Sequence, residues 1–252
     1  MKTTEPFTCR NWLKQTFIED KWFWLIIVVL LLSNIGLYRY LPVGMWFGFT
    51  LSAYSAIAND SIQTLGTFIA SNHGITKWWL QWLWIAAIFN ATTIYSWAMY
   101  EKDVSHERLK SKGFETAPTE LNYLQTGAPI ILLILTRLRI PVSTTFMILT
   151  VFVTKSKTLG KTILKSVSGY GISFGLAVLI YLPFCVLIQR YCNYARGKHD
   201  KVWMPIQWIT TGVLWSVWLM QDMSNIAIFL PRALHWGELV AVCVITTIGL
   251  AI

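Results

Sequence analysis

Two short polar stretches interrupt otherwise apolar sequence, and each carries a carboxylate. The first is Ala58-Asn59-Asp60-Ser61-Ile62-Gln63-Thr64-Leu65-Gly66, and the second is Gln221-Asp222-Met223-Ser224-Asn225. Both read amide, Asp, two spacers, amide, and a serine lies shortly before each aspartate, Ser55 in one copy and Ser216 in the other. A carboxylate in apolar surroundings is costly without a partner, so an ion or charged substrate is the first partner to expect. The bland alternative is a pair of unrelated polar turns at helix ends. A third stretch, Pro141-Val142-Ser143-Thr144-Thr145, stands directly before the short apolar run 146 to 153. Proline suits a first helical turn, and a helix start leaves backbone N–H groups unpaired, so the hydroxyls can cap that start or face an anion. An ordinary Ser or Thr cap accounts for them equally well.

The oxygen ligands on offer, Asp and amide carbonyl, suit a hard cation such as Na⁺ and argue against soft metals. Nothing else in the chain points to bond-making chemistry. There is no nucleophile–base pair and no Gly-rich phosphate loop, and the four histidines are scattered as His73, His106, His199 and His235. An ATP-driven pump and a membrane hydrolase are therefore unsupported, and neither a catalytic residue nor a resident metal or cofactor is expected. Cys9, Cys185, Cys192 and Cys243 lack C-x-x-C spacing and read as small hydrophobes.

The elements that must hold these stretches are membrane helices. The 252 residues are 55% hydrophobic and 13% charged, which excludes an ordinary soluble domain and implies a multi-pass integral membrane protein in the lipid bilayer. The net charge of +9 comes from short Lys and Arg runs between apolar stretches, which fit cytoplasm-facing loops and not nucleic-acid binding. The 14 tryptophans cluster at span ends, as in Lys77-Trp78-Trp79, and read as interfacial anchors. Residues 1–21 form a polar tail. Residues 22–44 supply a first transmembrane helix and loop, with no cleavage site after the apolar run. From 45 to 70 the apolar pattern is broken by Asn59, Asp60, Gln63 and Gly66, which predicts a helix interrupted near Asn59-Asp60 or a re-entrant hairpin. A span over 78–100 carries Asn90, as readily an interhelical hydrogen bond as a ligand. Residues 101–120 are the longest soluble loop, with no constellation of chemical interest. A helix over 121–136 precedes the Pro141 stretch. A basic loop over 155–165, a span over 167–189 and a second basic loop over 190–201 follow, and one crossing cannot place both basic loops on the same side. A final apolar segment follows Trp236. Arg232, just after the second aspartate motif, can pair with a carboxylate, attract an anion or snorkel to headgroups.

Ala58-Asn59-Asp60 with Gly66, then Ala86-Ala87-Ile88-Phe89, then Pro141-Val142-Ser143-Thr144-Thr145, in that order and spacing, resembles one repeat of the inorganic phosphate transporter (PiT) family. The resemblance covers 45–190 as a first repeat and 203–252 as the start of a second, incomplete one. It implies an all-α bundle with discontinuous helices or re-entrant hairpins, of the inverted-repeat transporter type. It also implies a cation-coupled permease of an inorganic oxyanion in the cell (inner) membrane, with phosphate first and sulfate second, driven by Na⁺ or H⁺. By that resemblance Asp60 and Asp222 help bind the coupling cation, and Asn59, Gln63, Gln221 and Asn225 orient it or the anion. Ser143, Thr144 and Thr145, with Thr64, line the anion site. A homodimer is an allowed assembly. Phe146 stands where the family commonly has His, Asn90 where it has an acid, and Gln63 and Gln221 where it has Asn. The alternatives to a phosphate permease are a sulfate permease, a membrane binding protein without coupled transport, and an incomplete transporter chain. A full second repeat would need its own Pro-Val-Ser-Thr-Thr element.

Overall fold

The computed structural model describes residues 20–138, 140, 142–153, 156–195 and 200–251. The expected polar tail and Cys9 fall outside these residues, as do Pro141 and the side chain of Gln63. The described chain is all-helical: α1 Lys21–Leu37, α2 Leu41–Thr64, α3 Gly66–Asn72, α4 Trp78–Met99, α5 Arg108–Ser111, α6 Tyr123–Arg137, α7 Ser156–Ala195, α8 Asp200–Ile226 and α9 Trp236–Gly249. A π-helical turn, Thr145–Leu149, runs into a 3₁₀ turn, Thr150–Phe152, between α6 and α7, and a second 3₁₀ turn, Ala227–Phe229, follows α8.

Helix α2 is the centre of the bundle and packs against α6, α8 and α9, while α4 pairs with α8. The spacing of its buried residues explains this. Phe49, Ala53, Ala56 and Asp60 recur at intervals of four, three and four, so the aspartate lies on the same stripe as the apolar core. On α8, Trp215, Leu219, Met223 and Ile226 form the matching stripe, and Asp222 stands beside it. Small residues bring the backbones together: a Cβ on Gly48 would meet the ring of Phe229 at 2.4 Å. That ring is fully buried and meets Phe152 edge-on at 5.0 Å.

Where the helices stop differs from the sequence expectation. Helix α2 runs straight through Asn59-Asp60 and is interrupted at Leu65, with the Asn59 side chain reaching sideways to the Val142 carbonyl and the helix backbone left intact. Both motif helices end four residues after their aspartate, at Thr64 after Asp60 and at Ile226 after Asp222. The stretch 155–165, expected as a basic loop, is helical from Ser156 onward, making α7 a 40-residue helix about 60 Å long. Trp78 and Trp79 are exposed, as expected of interfacial anchors, but other tryptophans turn toward the core. Trp215 is buried and stacks on Trp218, and the Trp208 indole donates to Asn72 Oδ1. Asn90 donates to Thr247 Oγ1 at 2.9 Å, so of its two readings the structure shows the interhelical bond. Within the described residues, Cys185, Cys192 and Cys243 are free.

Two stretches, Leu41–Ser61 and Val167–Tyr194, are long and apolar enough to cross a membrane by length and composition; Lys21–Leu37 and Trp236–Gly249 are shorter apolar helices. These fit a membrane-embedded chain. The second of the long stretches is entirely unburied within the protein. An apolar surface of that extent needs an apolar environment.

Gly48→Ala is expected to destabilise the protein by about 1–3 kcal/mol, because a Cβ forces the buried Phe229 ring out of its slot. Thermal unfolding of the purified protein in detergent checks this, and an unchanged midpoint would mean that α2 and the 227–229 turn do not pack as described.

Candidate functional site

The site is a knot of side chains where the first motif, the second motif and the 142–145 stretch meet. Asn59 donates through Nδ2 to the Val142 carbonyl at 2.8 Å and to Asp60 Oδ1 at 3.1 Å. Eighty-three residues apart in sequence, Asn59 and Val142 are thus tied by one amide. From the other side, Asn225 donates through Nδ2 to Thr145 Oγ1 at 2.9 Å, to Thr144 Oγ1 at 3.2 Å and, by a short bond, to Asp222 Oδ1. The Thr144 hydroxyl donates in turn to Asp222 Oδ1 at 3.3 Å and lies close to Asp60 as well. Thr144 therefore stands between the two carboxylates, which are near enough to repel each other.

Asn59, Thr144, Ser224 and Asn225 are buried, and Asp60 is only 7% exposed. One oxygen of Asp60 is left over. Its Oδ2 is buried with no hydrogen-bond partner among the described residues. A buried carboxylate oxygen without a donor costs more than the bond it lacks, and such an atom marks a place for a ligand. Among the described residues no group of three His, Cys, Asp or Glu side chains is placed to hold a metal ion.

The structure sorts the remaining sequence candidates. Ser143 is a cap: its hydroxyl accepts from the Phe146 N–H at 3.3 Å. Thr64 turns its hydroxyl onto its own helix, donating to the Asp60 carbonyl at 2.9 Å. Gln221 is exposed and stands outside the knot, although its carbonyl accepts from Ser224 Oγ. Ser55 and Ser216 each donate three residues back along their own helices, to Ser52 and Val213, and neither reaches an aspartate. The side chain of Gln63 lies outside the described residues. Arg232 is engaged by backbone carbonyls. Its guanidinium donates to the carbonyls of Ala227, Ile228 and Leu230, closing the end of α8, and to those of Phe114 and Thr116 in the long loop. Burial pushes this group down to about 10, partly offset by the nearby Asp103, so it stays charged at neutral pH.

The loop at 101–120 is where the sequence reading missed something. Asp103 is buried and accepts from the N–H groups of Ser105 and Glu107 and from the Ser105 hydroxyl, holding His106 and Glu107 in left-handed backbone conformations. Leu109 is fully buried in the core. The turn so fixed presents Lys112, whose ammonium donates to Ser224 Oγ at 2.7 Å and to Asn225 Oδ1 at 3.4 Å. Arg108, four residues earlier, also acts electrostatically on Asp222. The signal was present in the sequence, since positions 108 and 112 share one face of any helical turn, but nothing local marked that face as inward.

No protein-family model matches the chain, and no curated protein or solved structure is significantly similar to it.

If Thr144 and Asn225 work as one unit, Thr144→Val and Asn225→Ala will not be additive. A double-mutant cycle on unfolding free energy is expected to give a coupling of about 0.5–3 kcal/mol, and a coupling indistinguishable from zero would dissolve the knot.

Proposed function

We propose that the chain is a cation-coupled secondary permease of an inorganic oxyanion, phosphate before sulfate, and that its site lies at the knot joining Asp60, Thr144, Asp222 and Asn225. The observation that carries this reading is the unpartnered, buried Asp60 Oδ2 in a knot that also holds Asp222, with the Thr144 hydroxyl acting on both acids. Two carboxylates in so apolar a place repel each other, and a cation taken up between carboxylate and hydroxyl oxygens relieves both costs. Na⁺ fits these hard ligands. The cation then supplies the positive field that an oxyanion needs, while the hydroxyl of Thr145 and the freed end of the 142–145 stretch supply donors. Binding of either ion is thereby made to depend on the other, which is the requirement for coupling.

Further support comes from the helix ends. Two helices that stop at the same distance past their aspartates, in two parts of one chain, are what paired discontinuous helices of an inverted-repeat transporter would present. The wholly unburied apolar helix Val167–Tyr194 supports a multi-pass protein of the cell membrane, surrounded by lipid. The resemblance to the phosphate transporter family, in the order of three motifs, agrees with the same reading. A membrane binding protein that holds both ions without moving them is the reading against which it must be tested.

Uptake of labelled phosphate and sulfate into proteoliposomes, with and without an inward Na⁺ gradient, separates the two. Gradient-dependent accumulation is expected, and binding without accumulation would favour the binding protein. Asp60→Asn should remove the Na⁺ dependence. Thr145→Val should leave that dependence in place and raise the half-saturating anion concentration about tenfold or more, the cost of one hydrogen bond to a charged group.

A further inference from the structure

The two aspartate motifs differ in one respect that the repeated sequence does not foreshadow. At the first, Asp60 Oδ2 has no donor among the described residues. At the second, a side chain from the extramotif loop has moved in: Lys112 Nζ lies 2.7 Å from Ser224 Oγ and 3.4 Å from Asn225 Oδ1, and its charge acts on Asp222. Hydroxyl oxygen, amide oxygen and a nearby carboxylate make up the set of ligands that a monovalent cation would otherwise collect.

From this juxtaposition we infer that Lys112 is a tethered cation, its ammonium standing permanently where a free monovalent cation would bind at the Asp222 motif, so that the chain keeps one exchangeable cation place, at Asp60. The inference rests on the reading of Asp60 as a cation ligand. An ammonium carries the same charge as Na⁺ and satisfies the same oxygens through N–H donors. What distinguishes a tethered group from a free ion is that its ordering has been completed on folding. Here the loop is pinned at several points: Leu109 in the core, the Asp103 turn, and Arg232 holding the carbonyls of Phe114 and Thr116. Ser224 completes the seat, since its hydroxyl accepts from Lys112 while donating to the Gln221 carbonyl at 3.1 Å. A lysine so held does not leave with the substrate. The consequence is asymmetry between the two motifs, with one place that fills and empties and one that is always filled.

The test is the number of Na⁺ ions bound per chain, measured with ²²Na⁺ at saturation on the purified full-length protein in lipid nanodiscs. The wild type is expected to bind one and Lys112→Met two, with Lys112→Arg, which keeps a tethered charge, still binding one. Lys112→Gln should match Lys112→Met, which guards against a variant that fails to fold. Should neither folded variant be obtained, the wild-type count decides, because two Na⁺ in the wild type would overturn the tethered cation outright and one, lost in Asp60→Asn, supports it. If Lys112→Met binds one like the wild type, the inference falls while the Asp60 site stands. If neither the wild type nor Lys112→Met binds any, both fall together.

Discussion

A carboxylate inside an apolar helix bundle is a debt that every neighbouring element here is arranged to reduce. Asp60 lies on the packed stripe of α2, so it cannot turn away to solvent, and Asp222 comes at it from α8. The compensation is spread over three segments. Asn59 reaches the Val142 carbonyl, Asn225 reaches both threonines, and Thr144 sits between the acids. Each of those bonds crosses between segments far apart in sequence, so the same interactions that make the charges tolerable also fix how the segments pack. Satisfied polar networks of this kind specify one arrangement of a core, and a half-satisfied one is the more costly case. The Asp60 oxygen left unpaired among the described residues is therefore the informative atom of this network.

The geometry around the knot follows from that constraint. Both motif helices end four residues after their aspartates, and the groups that meet the acids come from within those helices and from the 142–145 stretch. At the second motif the carbonyls of that ending are taken up by the half-buried Arg232. Through its bonds to Phe114 and Thr116 the same arginine steadies the loop that delivers Lys112. Gly48 makes room for the Phe229 ring on the far side of the turn. The loop, the helix end and the central helix are thus mechanically one unit, although they come from three distant parts of the chain.

Much of this was legible from residue types and spacing. The helical class, the polar interruptions that hold Asn59, Asp60, Asp222 and Asn225, and the short helix after the Pro141 stretch all follow from local pattern, because apolar runs and polar interruptions are written in consecutive residues. What was hidden depends on where side chains point. Gln221 and Asn225 look alike beside Asp222, yet one faces out and the other in, a matter of helix phase against a partner the sequence does not name. Ser143 and Thr144 are adjacent hydroxyls, one a local cap and the other a bridge between acids. The interruption expected at Asn59-Asp60 falls at Leu65, since the Asn59 amide finds a lateral partner and the backbone stays intact. Arg108 and Lys112 were invisible because a charged loop ordinarily faces solvent, and only the buried Leu109 and the Asp103 turn draw this one inward.

The central claim is that Asp60 and Asp222, from opposite ends of the chain, share one buried site. It is tested most directly by replacing both with cysteine in the full-length chain, after changing Cys9, Cys185, Cys192 and Cys243 to serine, and adding Hg²⁺ in native membranes. Mercuric ion bridges two thiols only when they are a few ångströms apart. Mass spectrometry of the intact chain is expected to show one mercury per protein with both thiols protected from alkylation. Two mercury ions per chain, or thiols that remain freely alkylated, would place the carboxylates apart and contradict the account.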